Sequence, residues 1–533
     1  MHDVARRGPG PRVRRQAVAK RRAAVVCLLC LAGGCVATRE GRSIAEAAAE
    51  LAACEDLAGG RVGVFVLDAA TGAVLADRCG ALGFAPASNE KLVSAAVALR
   101  SLGPEHHMAT ELWQRGPVRD GVLHGDLVLR GFGDATLGKP DADGGSTARL
   151  VAAVRELGIQ RVTGRVIGDG AWLGDESLGL GWQWDYLDED YAAPFGGLDF
   201  AGNVVTVTVR ADQGRAAIDV SPPGASAPTA DVVVGPAGAA TRLSAHRAIG
   251  ADAIEVRGSI AADAPPQRLT VAVREPAAFA AAAFRGLLEA AGVEVEGAEQ
   301  GLASDGAAER LVVRVESPPL RDLLQPLLTN SDNLYAEQFW RVAARVAGGQ
   351  GSTAAAARHT NTVLTELGID VRGMVVADGS GLSRRNLVQP RQLAGVLRAL
   401  YASPDRETFV AALPLAGRTG TLRSRFAAGP AHGHVRAKTG YISRVVCLSG
   451  YVLRPDPDAP PLVFSVMLND FTCEDTQAKA AVDAFVQRMA AAVGWSGEAP
   501  AQNVTAKPNW KPSMARSASK ARLSCVPSAG NSL

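Results

Sequence analysis

Strand-forming segments stand at both ends of a long region whose middle is helical, and this arrangement constrains the fold more than any other feature. The apolar runs 62–68 and 73–76, around the turn Ala69-Ala70-Thr71-Gly72, predict a β-hairpin. Two further strands are predicted far downstream, at 444–453 and 461–468. Helical periodicity is found at 320–347, 353–367, 390–401 and 476–493. The pattern predicts an α/β (α+β) fold in which early and late strands share one sheet flanked by helices.

A β-rich stretch interrupts this region. Short strands separated by Gly or Asp turns are predicted at 125–130, 162–168, 204–210, 231–235 and 269–273, and an alanine-rich helix follows near 276–291. Upstream, helices are predicted at 43–57, with Ser43 as the N-cap, and at 88–102. We therefore predict a signal peptide at 1–34, a main domain formed by 35–104 and 300–496, a β-rich inserted domain at 105–299, and a flexible tail at 497–533.

The first 34 residues are typical of an export signal. Eight Lys or Arg residues precede or border the apolar run 23–32, which is shorter than the about 20 residues that span a bilayer. Cys35 follows Leu31-Ala32-Gly33-Gly34, a sequence similar to a bacterial lipoprotein cleavage site, although the large apolar residue lies four positions before the cysteine instead of three. Two outcomes stay open: membrane anchoring through a lipidated Cys35, or plain cleavage. In both, we expect export to the periplasm or cell envelope.

Charge argues against a nucleic-acid partner. The net charge is +2, but residues 35–498 hold 43 basic and 53 acidic residues, a balance of −10, so no basic face is expected. No Cys-x-x-Cys pair outside the signal and no His-Glu-x-x-His spacing occurs, and we predict neither a catalytic metal nor a cofactor. In an oxidising compartment three disulfide pairings stay open among Cys54, Cys79, Cys447 and Cys473.

The first of three short motifs is Ser88-Asn89-Glu90-Lys91, which opens an apolar helix. Residues three apart lie on one helical face, so the hydroxyl of Ser88 and the amine of Lys91 can meet. A lysine can take the proton of a serine when burial or a nearby cation lowers its pKa. Ser517-Ala518-Ser519-Lys520 has the same pattern, but the tail offers no buried site. The structural alternative for Ser88 is a helix-capping serine beside a solvated lysine.

The second motif, Ser331-Asp332-Asn333, precedes a helical run that starts at Leu334. Ser, Asp and Asn all favour the N-cap position, which is the structural interpretation. In the functional interpretation, the Ser331 hydroxyl passes a proton and the Asn333 amide holds a substrate amide.

The third motif is Lys438-Thr439-Gly440, on a predicted strand. The ammonium and the hydroxyl suit a substrate carboxylate, and the glycine leaves room for a substrate backbone. Arg418-Thr419-Gly420 has the same form but lies in a turn-like segment, so we prefer Lys438.

In this order the three motifs form the signature of penicillin-binding proteins and class A β-lactamases, and the esterase signature Gly-x-Ser-x-Gly is absent from the sequence. Between about residues 45 and 493 the chain resembles low-molecular-mass penicillin-binding proteins of the D-alanyl-D-alanine carboxypeptidase/endopeptidase kind with a large inserted domain. The separation of 243 positions between Ser88 and Ser331 fits that arrangement and disfavours a compact β-lactamase. The resemblance also rests on Ala85–Ser88, Gly125–Gly131, Gly133-Asp134, Asn330–Glu337, Asp378–Arg384, Leu413–Gly417, Gly420–Arg423 and Arg436–Gly440.

The resemblance implies a serine penicillin-recognising, transpeptidase-like fold and a serine D,D-peptidase. Such an enzyme cleaves the D-Ala-D-Ala bond or peptide cross-links of peptidoglycan stem peptides through an acyl-enzyme, and β-lactams inhibit it. The implied catalytic roles are Ser88 as nucleophile, Lys91 as base, and Ser331 with Lys438 as the proton relay to the leaving amine. The implied substrate-binding residues are Asn333, Thr439, Gly440, Tyr441 and Arg384, and the backbone N–H groups of Ser88 and Tyr441 would form the oxyanion hole.

Two segments depart from the family pattern. Tyr441 stands where Thr or Ser is usual, and Ser443-Arg444-Val445 differs from the usual glycine-containing segment. The preference between carboxypeptidase and endopeptidase activity therefore stays open, as does the role of Tyr191, which either stacks on the stem peptide or makes a plain hydrophobic contact. The alternative functions are a β-lactamase or esterase on the same scaffold, which needs rapid deacylation, and a non-catalytic cell-wall binding protein.

Overall fold

A computed structural model of the chain describes residues 38–140, 142–301 and 309–497. The predicted signal peptide, Cys35 and residues 498–533 of the predicted tail lie outside these ranges. None of the helices in the described ranges combines the length and the apolar character needed to cross a membrane.

The described ranges form α-helices and β-strands with the following bounds. The α-helices are α1 (Arg39–Ala52), α2 (Glu90–Leu102), α3 (Ser146–Glu156), α4 (Pro276–Ala290), α5 (Leu320–Leu328), α6 (Asn333–Val346), α7 (Thr353–Glu366), α8 (Pro390–Tyr401), α9 (Arg406–Ala412) and α10 (Asp475–Ala492). The strands are β1 (Arg61–Asp68), β2 (Val74–Arg78), β3 (Ala109–Arg115), β4 (Val118–Arg119), β5 (Val122–Leu123), β6 (Asp126–Gly131), β7 (Arg161–Asp169), β8 (Val204–Asp212), β9 (Arg215–Ser221), β10 (Thr229–Gly235), β11 (Arg242–Arg247), β12 (Ile254–Ala261), β13 (Gln267–Ala272), β14 (Glu294–Gln300), β15 (Glu309–Glu316), β16 (Val435–Ile442), β17 (Val445–Val452) and β18 (Leu462–Asn469).

Most of the predicted elements are confirmed with small shifts at their ends. The predicted hairpin is the antiparallel pair β1 and β2, and the helix predicted at 390–401 is α8 without a shift. The predicted N-cap Ser43 is wrong. Helix α1 begins at Arg39, because the side chain of Thr38 accepts the N–H of Gly41 at 3.0 Å and caps the helix earlier. The helical stretch predicted at 320–347 consists of two helices, α5 and α6.

Early and late strands share one five-stranded sheet. Its order is β16-β17-β18-β1-β2, and every neighbouring pair is antiparallel. Strand β1 lies beside β18, with Val64 opposite Val466. The sheet therefore joins parts of the chain about 400 residues apart, and β16 forms one of its edges.

Helices cover both faces of this sheet. Strands β17 and β18 are buried along their whole length, which agrees with their nearly continuous apolar composition. Because successive side chains of a strand point to opposite faces, Val463 and Met467 pack in the core with α2, α6 and α8, whereas Phe464 and Val466 pack with α1 and α10. Helix α2 is buried from Glu90 to Leu99, as expected of a helix that is apolar on most of its circumference.

The β-rich stretch builds separate sheets around a core of its own. A seven-stranded sheet has the order β15-β3-β6-β7-β5-β4, and β14 also pairs with β7. Two three-stranded sheets have the orders β10-β12-β11 and β13-β8-β9. Val166, Val207 and Phe284 belong to the apolar cluster that these sheets share with α4, and this cluster is distinct from those around the five-stranded sheet.

Strand β15 bears on the predicted domain boundary at residue 299. It is antiparallel to β3, with Val315 opposite Thr110, so the chain enters and leaves the β-rich region through two neighbouring strands. We propose that the inserted domain extends from β3 to β15, and the remaining domain boundaries stay predictions.

The four described cysteines are free thiols, so none of the pairings left open by the sequence is formed in this structure. Cys447 is fully buried on β17, and Cys79 is exposed just after β2. Cys54 and Cys473 are half-buried, and both pack against the cluster between the sheet and helices α1 and α10.

Phe464→Ala is expected to lower the free energy of unfolding by about 3–5 kcal/mol, because its ring is fully buried between the sheet and α10. Denaturant unfolding measures this loss. Val74→Ala on β2 is the matched control, since Val74 is 54% exposed, and its effect should stay within about 0.5 kcal/mol. Equal losses for the two variants would contradict the described packing.

Candidate active site

A strained turn presents Ser88 at the start of the buried helix α2. Ala87–Asn89 form one turn of 3-10 helix, and the backbone of Ala87 has a φ of 46°, a left-handed conformation that is unfavourable for residues other than glycine. The amide of Asn89 donates to the hydroxyl of Ser449 at 2.8 Å and ties the turn to β17. Ser88 is half-buried, while Lys91 is fully buried.

The amine of Lys91 contacts three oxygen atoms. Its Nζ lies 3.0 Å from Oγ of Ser88 and 2.7 Å from the carbonyl oxygen of Ser380, and it also donates to Oδ1 of Asn333. A neutral amine has two N–H groups and one lone pair. Because the amide and carbonyl oxygens can only accept hydrogen bonds, they take the two N–H groups and leave the lone pair for the hydroxyl proton of Ser88. This arrangement suits a general base.

Burial lowers the proton affinity of Lys91, so that the amine can be neutral and act as a base. Desolvation lowers the pKa of Lys91 from 10.5 to about 8, although the carboxylates of Asp378, Asp332 and Glu337 act in the opposite direction. A lysine with a pKa near 8 is neutral in a useful fraction of molecules near neutral pH.

The second motif supplies both a hydroxyl and a helix cap. Ser331 has a φ of 65° just before α6, and the Asp332 side chain accepts the N–H of Tyr335 at 3.1 Å as the N-cap. The structural interpretation of the motif is therefore correct for Asp332. Asn333, the first residue of α6, also donates through Nδ2 to the carbonyl of Tyr191 at 2.6 Å.

Lys438 on β16 reaches the second motif. Its Nζ lies 2.8 Å from Oγ of Ser331 and 2.8 Å from the carbonyl oxygen of Thr439. Burial and the nearby Lys91 hold the pKa of Lys438 well below its usual value. Beside it, the hydroxyl of Thr439 donates to that of Thr421 at 2.8 Å. An anionic group bound here would stabilise the charged form of Lys438.

Gly440 brings β16 against the Ser88 turn. A Cβ at this position would lie 2.6 Å from the carbonyl oxygen of Pro86 and 3.0 Å from Cβ of Cys447. The glycine is therefore needed for the contact between the strand and the turn, and not only to leave room for a substrate. Through this contact the backbones of Ser88 and Tyr441, the predicted oxyanion hole, belong to neighbouring segments.

A cleft of about 420 Å³ opens above these groups. Its lining residues are Ser88, Tyr186, Tyr191, Ser331, Asn333, Leu382, Tyr441, Ile442 and Ser443. Tyr441 is 49% exposed, donates its phenol to Asp475, and carries Nζ of Lys479 at 4.1 Å from its ring centroid. Tyr186 and Tyr191 meet edge to face at 5.6 Å on the side contributed by the inserted region.

The structure brings most of the predicted site residues to this cleft. Those joined by hydrogen bonds or lining it are Ser88, Lys91, Ser331, Asn333, Lys438, Thr439 and Tyr441. Arg384 is exposed near the cleft and donates to the carbonyl of Ser443. Arg418-Thr419-Gly420, which has the same form as the third motif, lies next to the site, since Thr421 contacts Thr439. Ser517, in the second Ser-x-x-Lys pattern, lies outside the described residues.

Sequence reasoning missed three polar side chains behind Lys91. The carboxylate of Asp378 accepts the indole N–H of Trp182 at 2.8 Å and the N–H of Gly381 at 2.8 Å. Glu337 accepts two backbone N–H groups of the same loop through Oε1. Asp378 and Glu337 stand in two of the phrases that carry the family resemblance, which is the signal that could have found them. Trp182, from the inserted region, had no such signal.

Known proteins are similar to this chain over most of its length. The family model described as D-Ala-D-Ala carboxypeptidase 3 (S13) matches residues 44–492. A D-alanyl-D-alanine carboxypeptidase of Actinomadura sp. (strain R39) is 35% identical over 440 residues, which cover 78% of this chain and 78% of that protein. D-alanyl-D-alanine carboxypeptidase DacB of Haemophilus influenzae is 27% identical over 432 residues, 79% of this chain and 88% of that protein.

A solved structure shares the fold. The crystal structure of penicillin binding protein 4 (dacB) from Haemophilus influenzae matches with a TM-score of 0.70 and 26% identity, over 83% of this chain and 98% of that one. The predicted fold class, a sheet flanked by helices with a penicillin-recognising arrangement, is confirmed by this match.

Gly440→Ala is expected to slow acylation by a β-lactam by about 100-fold, because the new methyl group would push β16 away from the Ser88 turn. Gly235→Ala on β10 is the matched control, since a Cβ there meets only ordinary contacts, the nearest at 3.4 Å. Stopped-flow measurement of the acylation rate checks both variants. Wild-type acylation by Gly440→Ala would show that the close approach of strand and turn is not required.

Proposed function

The chain belongs to the D-Ala-D-Ala carboxypeptidase 3 (S13) family, and from this membership we propose that Ser88, Lys91, Ser331 and Lys438 carry out its reaction. The protein is a serine-type D,D-peptidase, which cleaves the D-Ala-D-Ala bond or peptide cross-links of peptidoglycan. The observation that carries the assignment of roles is the contact of the buried Lys91 amine with the Ser88 hydroxyl at 3.0 Å.

Acylation begins with the attack of Ser88 on the carbonyl carbon of the penultimate D-alanine. The proton of the Ser88 hydroxyl passes to the lone pair of Lys91, whose two N–H groups stay on Asn333 and Ser380. The negative charge that develops on the carbonyl oxygen is bound by the backbone N–H groups of Ser88 and Tyr441. One such donor typically lowers the barrier by about 3 kcal/mol.

Ser331 and Lys438 complete the step on the leaving side. The C–N bond breaks, and the amine of the terminal residue takes a proton from the Ser331 hydroxyl, which Lys438 replenishes across their 2.8 Å contact. Binding of the substrate carboxylate beside Lys438 favours the charged form that this donation requires. The terminal carboxylate is held by Thr439 together with Lys438, and Thr421 supports the Thr439 hydroxyl.

Lys91 then gives up the proton that it gained, and Lys438 regains the one that it lost, by exchange with solvent. Water adds to the ester carbonyl and passes a proton to Lys91, the bond to Ser88 Oγ breaks, and Ser88 takes that proton, which regenerates the enzyme. A β-lactam reaches the same ester by opening its ring, but its leaving amine stays attached to the acyl group and obstructs the water. This difference accounts for inhibition by β-lactams. Asn333 positions the amide of the bound peptide, and Arg384 contacts an acidic part of the stem peptide.

The enzyme acts at the cell envelope, where its peptidoglycan substrate lies. We propose export by the basic and apolar segment 1–34. Lipidation of Cys35 and plain cleavage remain the two alternatives for the mature N-terminus. The choice between carboxypeptidase and endopeptidase activity remains open because Tyr441 stands where Thr or Ser is usual.

Ser88→Ala is expected to abolish labelling by a fluorescent penicillin, because among the described residues no other hydroxyl is hydrogen-bonded to the Lys91 amine. Labelling is read on a denaturing gel. Ser517→Ala, in the second Ser-x-x-Lys pattern of the chain, is the matched control and should label as the wild type does. Persistent label on Ser88→Ala would exclude this nucleophile, and rapid turnover of a chromogenic β-lactam, instead of one equivalent per enzyme, would favour the β-lactamase alternative.

The rate of acylation should increase as the pH rises through about 8, because Lys91 must lose its proton before it can accept that of Ser88. The second-order rate constant with a β-lactam measures this dependence over the pH range in which circular dichroism shows a folded protein. A rate that is constant or falls through this range would contradict Lys91 as the base.

A further inference from the structure

The carbonyl of Ser380, one of the two acceptors for the Lys91 amine, belongs to a loop that Glu337 holds. Glu337 is fully buried on α6. Its Oε1 accepts the backbone N–H of Gly379 at 3.0 Å and that of Ser380 at 2.9 Å. Two donors on one oxygen fix the orientation of the backbone at 379–380, and the next carbonyl, that of Ser380, meets Nζ of Lys91 at 2.7 Å.

The same loop is wedged between α6 and the Ser88 turn. A Cβ at Gly379 would lie 2.7 Å from the carbonyl oxygen of Ala336, on α6. A Cβ at Gly381 would lie 1.8 Å from the carbonyl oxygen of Ala87, next to Ser88. Movement of this loop would therefore change the surroundings of the nucleophile and of its base together.

One face of α6 controls both acceptors of the amine. Asn333 and Glu337 are four residues apart, so their side chains project from the same side of the helix. Asn333 accepts from Lys91 directly. Glu337 acts through the Ser380 carbonyl.

We propose that Glu337 is a positioning residue of the D,D-peptidase reaction: it keeps the Ser380 carbonyl on the Lys91 amine, so that the lone pair of the amine stays directed at Ser88. The proposal rests on the roles proposed above for Ser88 and Lys91. It adds a residue that touches neither the substrate nor the reacting hydroxyl.

Glu337 also acts on Lys91 through its charge. Burial raises the pKa of Glu337 to about 7, so its carboxylate is ionised at the pH where Lys91 loses its proton. This negative charge raises the pKa of Lys91. The other groups that act on the Lys91 amine or on Glu337 are Glu90 from α2, Asp332 from the cap of α6, Arg341 from α6, Asp378 from the loop, and Lys438 from β16.

Glu337→Gln separates the charge from the hydrogen bonds. The glutamine carbonyl oxygen can still accept the N–H groups of Gly379 and Ser380, while the negative charge is lost. The pKa of Lys91 should fall, and the pH at which acylation reaches half its maximum should shift to lower values, with a maximal rate close to that of the wild type. Penicillin acylation rates as a function of pH measure this shift.

Glu90→Gln is the matched control. Glu90 is fully buried beside Lys91 in the sequence, and neither of its carboxylate oxygens has a hydrogen-bond partner in the described part of the chain. Burial holds its pKa well above the usual value, and its charge raises the pKa of Lys91 less than that of Glu337 does. The pH dependence of acylation should therefore shift by less than in Glu337→Gln.

Glu337→Ala removes the acceptor as well as the charge. Release of the Ser380 carbonyl should lower the acylation rate by about 100-fold, while penicillin affinity, compared in Ser88→Ala and the Ser88→Ala/Glu337→Ala double variant, stays unchanged. If Glu337→Ala fails to fold, Glu337→Met takes its place, because methionine has a similar length but no oxygen to accept the two N–H groups.

A folded Glu337→Ala variant with wild-type acylation would overturn the positioning role of Glu337. An unshifted pH dependence in Glu337→Gln, or an equal shift in Glu90→Gln, would overturn its action through charge. These results differ from a failure of the proposed function, in which the wild type itself would not be acylated or Ser88→Ala would keep its label.

Discussion

A lysine amine held entirely out of water is the constraint on which the rest of this active site depends. Lys91 is fully buried, and an ammonium group in such a place is stable only if its donors are paired and nearby carboxylates offset the loss of hydration. The Ser380 carbonyl, Asn333 and Ser88 supply the partners. Because the compensation is incomplete, the pKa of Lys91 lies near 8, and the same burial that disfavours the ammonium makes the amine a base.

The partners of Lys91 come from distant parts of the chain, and the architecture explains how they meet. The five-stranded sheet places β16 beside the Ser88 turn, where Gly440 allows the close approach. Helix α6 brings Asn333 to the amine from another side. The inserted region also reaches the site, since the Tyr191 carbonyl accepts from Asn333 and Trp182 donates to Asp378. The inserted region therefore contacts the groups around the catalytic residues and also lines part of the cleft.

The predictable parts of this structure are those in which local pattern and long-range packing agree. Helix α8 was predicted without a shift because proline at its first position fixes the start and its apolar positions recur with helical spacing. Strands β17 and β18 were predicted because both faces are buried and the sequence is almost continuously apolar. The N-cap of α1 was misplaced because both Thr38 and Ser43 suit a cap, and only the packing of α1 distinguishes them.

The sequence motifs predict the catalytic residues of the site, but not the residues that hold them in place. Ser88, Lys91, Ser331 and Lys438 stand in short patterns whose order is informative, although each pattern also occurs by chance. Glu337 and Trp182 act through contacts with residues 43 and 196 positions away in sequence, at Ser380 and Asp378, and no local pattern encodes such a contact. The sequence analysis explains the glycine at 440 only by room for a substrate backbone. It does not predict the close approach to the backbone of Pro86, because Pro86 is far away in sequence.

Nuclear magnetic resonance titration of the Lys91 side chain, labelled with ¹³C at Cε and assigned by its loss in Lys91→Arg, tests the central claim most directly. The buried and hydrogen-bonded amine described here should titrate with a pKa of about 8. A midpoint at 10.5, the value of an ordinary lysine, would show that the amine is solvated and charged under working conditions, and would contradict its assignment as the base that activates Ser88.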